Sequence, residues 1–333
     1  MNSPLRFGIL GAARVARFAL LRPARRVPAI VVQSVAARDP QRARDYARRH
    51  GLPQVHASYA EMIDDPGIDA VYIALPNSLH AQWAVRALAA GKHVLCEKPL
   101  ASNATEADTI VHAAAGATGI FAEGMHYRYH PLAGRMRECV AQIGRLRSVD
   151  IIICVPVFAG SDIRYQYALG GGALMDLGSY AVNLARFLVS GEPLVTAAEA
   201  RLRTPGVDRT MDAALRFPDD VTARIRCALL SPQLLRAAVH VVGERGQLTV
   251  RNPLAPQLFN RLILTTPAGR AVEKLPAGPS TFEHQLRAFA AAARGGPVLP
   301  TSAAEGAAAM RVIDAIYRKA GLPVRGDPDF RPA

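Results

Sequence analysis

From residue 5 onward the chain alternates short β-rich apolar runs with amphipathic stretches, a grammar that predicts strands joined by helical crossovers and hence a parallel sheet. The runs occupy 6–10, 31–36, 68–75, 93–96 and 119–122. Helical periodicity fills 40–50, 79–90 and 104–117, and Gly51 and Gly91 stand where the first two should stop. Past about residue 123 the pattern changes. A helix at 131–142 leads to a long strand at 146–158, a glycine run at 170–172 and a helix at 174–188. Strands follow at 195–203, 209–217, 221–230, 236–243, 247–251 and 261–266, and helices at 281–294 and 302–320 close the chain. Pro218-Asp219-Asp220, Glu244-Arg245-Gly246 and Pro267-Ala268-Gly269 supply turn chemistry, and strands joined so tightly are antiparallel. The expected architecture is α/β, with a parallel-sheet domain at 1–122. An α+β domain at 123–333 follows, built on a large, open, mostly antiparallel sheet.

With 333 residues, half of them apolar, there is material for two packed cores, and disorder is excluded. No apolar run approaches the roughly 18–20 residues a bilayer crossing requires. Arg6, Arg14 and Arg17 divide the N-terminal segment too finely for a signal-peptide core, so the cytoplasm is the expected location. Cys96, Cys139, Cys154 and Cys227 form no CxxC pair and have no histidine at metal-ligand spacing. They read as buried apolar residues, with neither a disulfide nor a metal expected. The net charge of +13 is uneven: eleven arginines against Asp39 and Asp45 put +9 in the first 50 residues. Such a field attracts either a nucleic-acid backbone or a smaller polyphosphate.

The motifs favour the smaller ligand. Gly8-Ile9-Leu10-Gly11-Ala12-Ala13-Arg14-Val15-Ala16 follows the first strand and opens a helix. It fits the dinucleotide fingerprint G-x-G-x-x-G/A, with Ala13 and Ala16 in place of the later glycines. Gly11, Ala12, Ala13, Arg14 and Val15 are thus candidates to hold a pyrophosphate at a helix N-terminus. At the end of the second strand, Ala37 occupies the position where an NAD site usually has an acid, and Arg38 follows, suited to pair with a 2′-phosphate. NADP is expected, with NAD use left open by Asp39. At later strand ends, Leu75, Pro76, Asn77, His80, Glu97 and Lys98 reach the same carboxyl edge, where α/β ligands bind.

Downstream, Gly170-Gly171-Gly172-Ala173-Leu174-Met175-Asp176-Leu177-Gly178-Ser179-Tyr180 puts Asp176 and Tyr180 four apart, on one face if helical. Leu75-Pro76-Asn77-x-x-His80, Glu97-Lys98-Pro99 and this glycine-led segment together resemble the Gfo/Idh/MocA family of nicotinamide-dependent oxidoreductases, from Leu5 to about Pro323. The resemblance implies a Rossmann domain, with the helix at about 302–320 running near it. It also implies Lys98 in the active site. Tyr180, rather than the histidine of inositol dehydrogenase, is similar to the acid/base tyrosine of the dihydrodiol dehydrogenase, xylose dehydrogenase, glucose–fructose oxidoreductase and deoxysugar 3-ketoreductase branches.

The chemistry agrees, because moving hydride at a carbinol carbon requires a proton to move at its oxygen. A phenol of pKa near 10 needs a nearby ammonium to act as a base. Tyr180 is therefore read as general acid/base, Lys98 as its electrostatic partner and substrate-oxygen donor, and Asp176 as the group that orients them. His126, Arg128, Asp162, Arg164 and Tyr165 are further substrate-binding candidates.

The expected function is an NADP-favouring oxidoreductase for a sugar, cyclitol or cyclic diol. The alternatives are a biosynthetic keto-sugar reductase and a dinucleotide sensor without turnover. A sensor needs neither Lys98 nor Tyr180. A nucleic-acid partner is not expected, since aromatics are 6% and no helix-turn-helix or basic tail is present. An open sheet needs cover, so a homodimer or homotetramer through the C-terminal sheet is expected.

Overall fold

The apolar runs of the first third become parallel strands in the computed structural model, which describes residues 3–327 and 329–330. Strands β1 (Leu5–Leu10), β2 (Ile30–Ala36), β3 (Gln54–His56), β4 (Ala70–Ile73), β5 (His93–Cys96) and β6 (Phe121–Glu123) stand in the order β3-β2-β1-β4-β5-β6. Every pairing is parallel. The order reverses beside β1, and at such a switch point the loops leaving the carboxyl ends diverge and open a crevice. Burial on both faces explains the near-continuous apolar character of β1 and β4. The strand β3 and the helix Tyr59–Asp64 are too short for their periodicity to stand out in the sequence.

Two compact units are present. The first comprises residues up to 101, 105–129 and 279–307, so the chain returns to it late. The cause is apolar: Leu286, Phe289, Ala290 and Leu299 complete the core around Phe7 and Ile9, with the rings of Phe7 and Phe289 5.5 Å apart. The helix Thr281–Ala292, which falls within the span 123–333 expected for the second domain, thus belongs to the first unit, and that unit continues past residue 122. Of the helix Ala303–Lys319, residues 303–307 belong to the first unit and the remainder to the second.

The second unit is built on strands β7 (Leu146–Cys154), β8 (Leu194–Thr204), β9 (Val207–Arg216), β10 (Thr222–Ala228), β11 (Arg236–Gly243), β12 (Gly246–Arg251), β13 (Arg261–Thr266) and β14 (Gly269–Glu273). Their order is β14-β13-β12-β11-β7-β10-β9-β8, antiparallel except where β7 meets β10. Alternating burial along β10 marks one covered and one open face. The helix Ser179–Leu188 covers β7 and β10. Among the described residues, no helix is long and apolar enough to cross a membrane.

Candidate active site

Gly11 leaves β1 at φ 103°, and a Cβ there would stand 2.7 Å from the carbonyl oxygen of Ala74. Only glycine makes this turn at this spacing. The helix that begins at Arg14 has no side-chain cap and no acid in its first turn. By contrast, Asp39 caps the helix Pro40–His50 by accepting from the N–H groups of Gln41 and Arg42. An uncapped helix start leaves N–H donors for an anion. Two side chains that sequence reasoning missed reinforce the turn: Arg42 donates to the carbonyl oxygen of Ala12 at 3.1 Å, and the Tyr46 hydroxyl donates to that of Ala13 at 3.1 Å. Ala12 is buried, whereas Arg14 and Val15 are exposed.

At the end of β2, Ala37 is buried and Asp39 is exposed, with Oδ1 taking both capping bonds. The Arg38 backbone N–H donates to the Tyr59 hydroxyl, while its exposed guanidinium has no partner among the described residues. The Arg38 guanidinium therefore stands available at this strand end, beside an Asp39 carboxylate that lends Oδ1 to the helix cap.

Lys98 follows β5 at the same carboxyl edge, two strands along from the Gly11 turn. Glu97 beside it accepts from the Tyr72 hydroxyl. The Lys98–Pro99 peptide bond is cis. His80 is wholly buried, its ring nitrogens 2.8 Å from the Pro99 carbonyl oxygen and 2.9 Å from that of Leu75. That ring ties the Leu75-Pro76-Asn77 turn to the lysine loop, so its polar atoms serve the backbone. Burial, with a further push from Lys98, holds His80 below the usual imidazole range.

His126 is also buried, with Nδ1 2.8 Å from the Thr281 hydroxyl and its ring stacked near Phe282. Burial and then the Lys98 ammonium push its pKa down to about 3. The unfolded imidazole titrates near 6.5. Its contribution to stability is therefore complete above about pH 6.5, and is lost as pH falls toward about 3 and the unfolded chain takes the proton first. A His126→Asn variant should flatten the melting temperature against pH across that window. Arg128 is half-buried on the same segment.

In the second unit, Arg164 holds Asp162 with two 2.9 Å hydrogen bonds and lies 3.6 Å from Asp176. The neighbouring carboxylates raise the Arg164 pKa. One guanidinium thus bridges two of the predicted residues. The Tyr165 hydroxyl is occupied: it donates to the carbonyl oxygen of Val157, and the ring carries Arg203. Asp176 sits in a π-helical turn, Leu174–Gly178, that runs directly into Ser179–Leu188. The expected regular helix is therefore wider at its start, which keeps Asp176 and Tyr180 on one side. Tyr180 is 9% exposed and Asp176 is more open.

The glycines before this helix answer to a cluster absent from the sequence reading. Asp208 accepts from Arg325 at 2.8 Å, from the Tyr317 hydroxyl at 2.9 Å and from the backbone N–H of Leu174 at 2.7 Å, all buried. A Cβ on Gly172 would stand 2.3 Å from Asp208 and 2.6 Å from the Tyr317 oxygen. The partners lie 34, 109 and 117 residues from Asp208, so no local motif reports them.

The sheet order, the uncapped glycine turn and the lysine at the fifth strand's end define an NAD(P)-binding oxidoreductase. Residues 5–125 match the oxidoreductase family with an NAD-binding Rossmann fold, and residues 134–249 match the GFO/IDH/MocA C-terminal domain. The chain is 35% identical over 326 residues to an uncharacterized oxidoreductase of Rhizobium meliloti, covering 95% of this chain and 97% of that one. It is 34% identical to D-xylose 1-dehydrogenase (NADP(+)) 2 of Haloferax volcanii, covering 94% and 97%. A 3-ketoreductase from Actinomadura kijaniata, solved with NADP and TDP-benzene, superposes with a TM-score of 0.85 at 28% identity, covering 95% and 98%. The chain belongs to the Gfo/Idh/MocA family of NAD(P)-dependent oxidoreductases.

Proposed function

We propose that this enzyme oxidises a secondary or anomeric hydroxyl of a sugar, cyclitol or cyclic diol with NADP, and reduces the matching carbonyl in reverse. The observation that carries the reading is Lys98 at the carboxyl edge, two strands from a glycine turn whose helix has no cap of its own. Bound NADP would supply the hydride acceptor. Gly11, Ala12, Ala13, Arg14 and Val15 would hold its pyrophosphate, Ala37 and Arg38 its adenosine end, and Leu75, Pro76, Asn77, Glu97 and Lys98 its nicotinamide end. His80 fixes the two loops that do so. Tyr180 takes or returns the hydroxyl proton, and Lys98 favours the phenolate and donates to the substrate oxygen. Asp176, held by Arg164, orients the substrate hydroxyls, and Asp162, His126 and Arg128 shape the polar surroundings. The xylose dehydrogenase and ketoreductase relatives support both directions. Absorbance of the reduced nicotinamide, followed with aldoses, inositols, cyclic diols and keto-sugars, tests this reading. Turnover of none of them by a protein that binds NADP tightly would sink it.

Arg38→Gly should raise the KM for NADP by about ten- to hundredfold, the worth of a lost charge-assisted hydrogen bond, and leave that for NAD nearly unchanged. Equal loss with both cofactors would show Arg38 not to read the 2′-phosphate.

We also infer a homodimer or homotetramer through the open face of the β7–β14 sheet. That face combines small residues, Ala197, Ala198, Ala213 and Ala214, with charges such as Glu199, Arg224 and Arg236 around a concavity of about 780 Å³. Light scattering that finds only the 35.6 kDa monomer would contradict it. Four free, buried thiols suit a reducing cytoplasm.

A further inference from the structure

The arginines of the first 50 residues are not spread evenly over helix surfaces. Arg17, Arg22, Arg25 and Arg49, with His50, line one cavity of about 600 Å³ whose lining includes no carboxylate. None of the four guanidinium groups has a hydrogen bond or ion pair among the described residues, although Arg17 and Arg22 both lie over the Phe18 ring. Leu21, Ile30, Val32 and Leu52 supply apolar wall.

The convergence has a local cause. On a regular helix, residues five apart are separated by about 140°. Here the helix 14–24 contains a π turn, Arg17–Leu21, in which the Arg22 N–H donates to the Arg17 carbonyl oxygen. Five-residue spacing then brings Arg17 and Arg22 to one side. Arg25 ends the same helix, and Arg49 and His50 end the helix Pro40–His50. Cations at helix C-termini have an ordinary explanation, since each terminus carries about −0.5 charge. Two termini offset only about one of the four positive charges. The pKa of His50 is held low by burial and by Arg17, Arg49 and Arg25, an independent sign that these charges face one another.

We propose that this cavity is a second anion site, for an organic polyphosphate such as a nucleoside di- or triphosphate. Its volume falls in the range of small-molecule sites, and roughly three uncompensated positive charges exceed what one phosphate needs. The apolar wall offers the organic moiety a surface that a bare phosphate chain would leave empty. The site is separate from the proposed dinucleotide turn. It opens at the start of β2, whereas Arg38 follows that strand's end, about 20 Å away for seven residues of strand.

Isothermal titration of the full-length protein with inorganic tripolyphosphate and with ATP tests the site. Saturable one-to-one binding is expected, tighter for ATP. The Arg22→Gln/Arg49→Gln double variant should weaken it by about tenfold or more, and Arg38→Gln should leave it intact. Both substituted side chains are exposed and neither has a hydrogen bond or ion pair among the described residues, so the melting temperature should move little. Absence of saturable binding, loss in Arg38→Gln instead, equal affinity for the two probes, or binding that strengthens with the length of a poly-U RNA would each overturn the proposal.

Discussion

Tyr180→Phe should lower kcat by about 10²- to 10⁴-fold while cofactor affinity stays unchanged, because the substitution removes one hydroxyl and keeps the ring that packs the helix start. Tyr180 is 9% exposed, so a thermal melt of the variant checks that its fold is retained before kcat is compared. The proton of the carbinol must still go somewhere, and water is a poor substitute for a positioned base. If Lys98 lowers the phenol's pKa, Lys98→Met should move the acidic limb of the oxidative pH profile, where the base is protonated, to higher pH as well as reduce kcat. Combining the two substitutions should cost much less than the product of the single losses, since each removes part of one proton-transfer unit. Full turnover in Tyr180→Phe would end the assignment. Strict multiplicativity would separate the lysine from the tyrosine.

Asp208→Ala is expected to be the most destabilising single change, by about 3–5 kcal/mol, because it leaves the wholly buried Arg325 guanidinium without its carboxylate. The same carboxylate caps Leu174 at the start of the π turn, so activity should fall even at temperatures where the variant is folded. Thermal melts and low-temperature kinetics on one preparation separate the two effects. Gly172→Ala should act in the same direction, since its added carbon has no room beside Asp208 and Tyr317. A variant with an unaltered melt would show that the ion pair contributes nothing net to stability.

Much of the candidate site is legible in the sequence because its parts are locally encoded. A glycine that must turn between a strand and a helix, a lysine before proline at a strand end, and an aspartate and tyrosine four apart after glycines are each visible within a dozen residues. What escaped is non-local. Arg42 and Tyr46 hold the carbonyls of the Gly11 turn from a helix some thirty residues on. Asp39, which leaves room for NAD, also caps that helix through Oδ1, a use that depends on backbone geometry. His80 and Tyr165 read as ligand contacts from their positions, yet their polar atoms are bound to backbone carbonyls. The π turns were hidden because hydrophobic spacing over so few residues does not separate a four-residue from a five-residue bond.

The sequence by itself determined the two kinds of sheet, the carboxyl-edge positions of Gly11, Arg38 and Lys98, and the clustering of charge near the N-terminus. These follow from local periodicity, turn chemistry and counting. Only the tertiary structure decided that the helix Thr281–Ala292 returns to the first core, that Asp208 and Arg325 underlie the glycines, and that four arginines face a single cavity. An apolar face records that it will be buried but not by what, and a charge records its sign but not its neighbours.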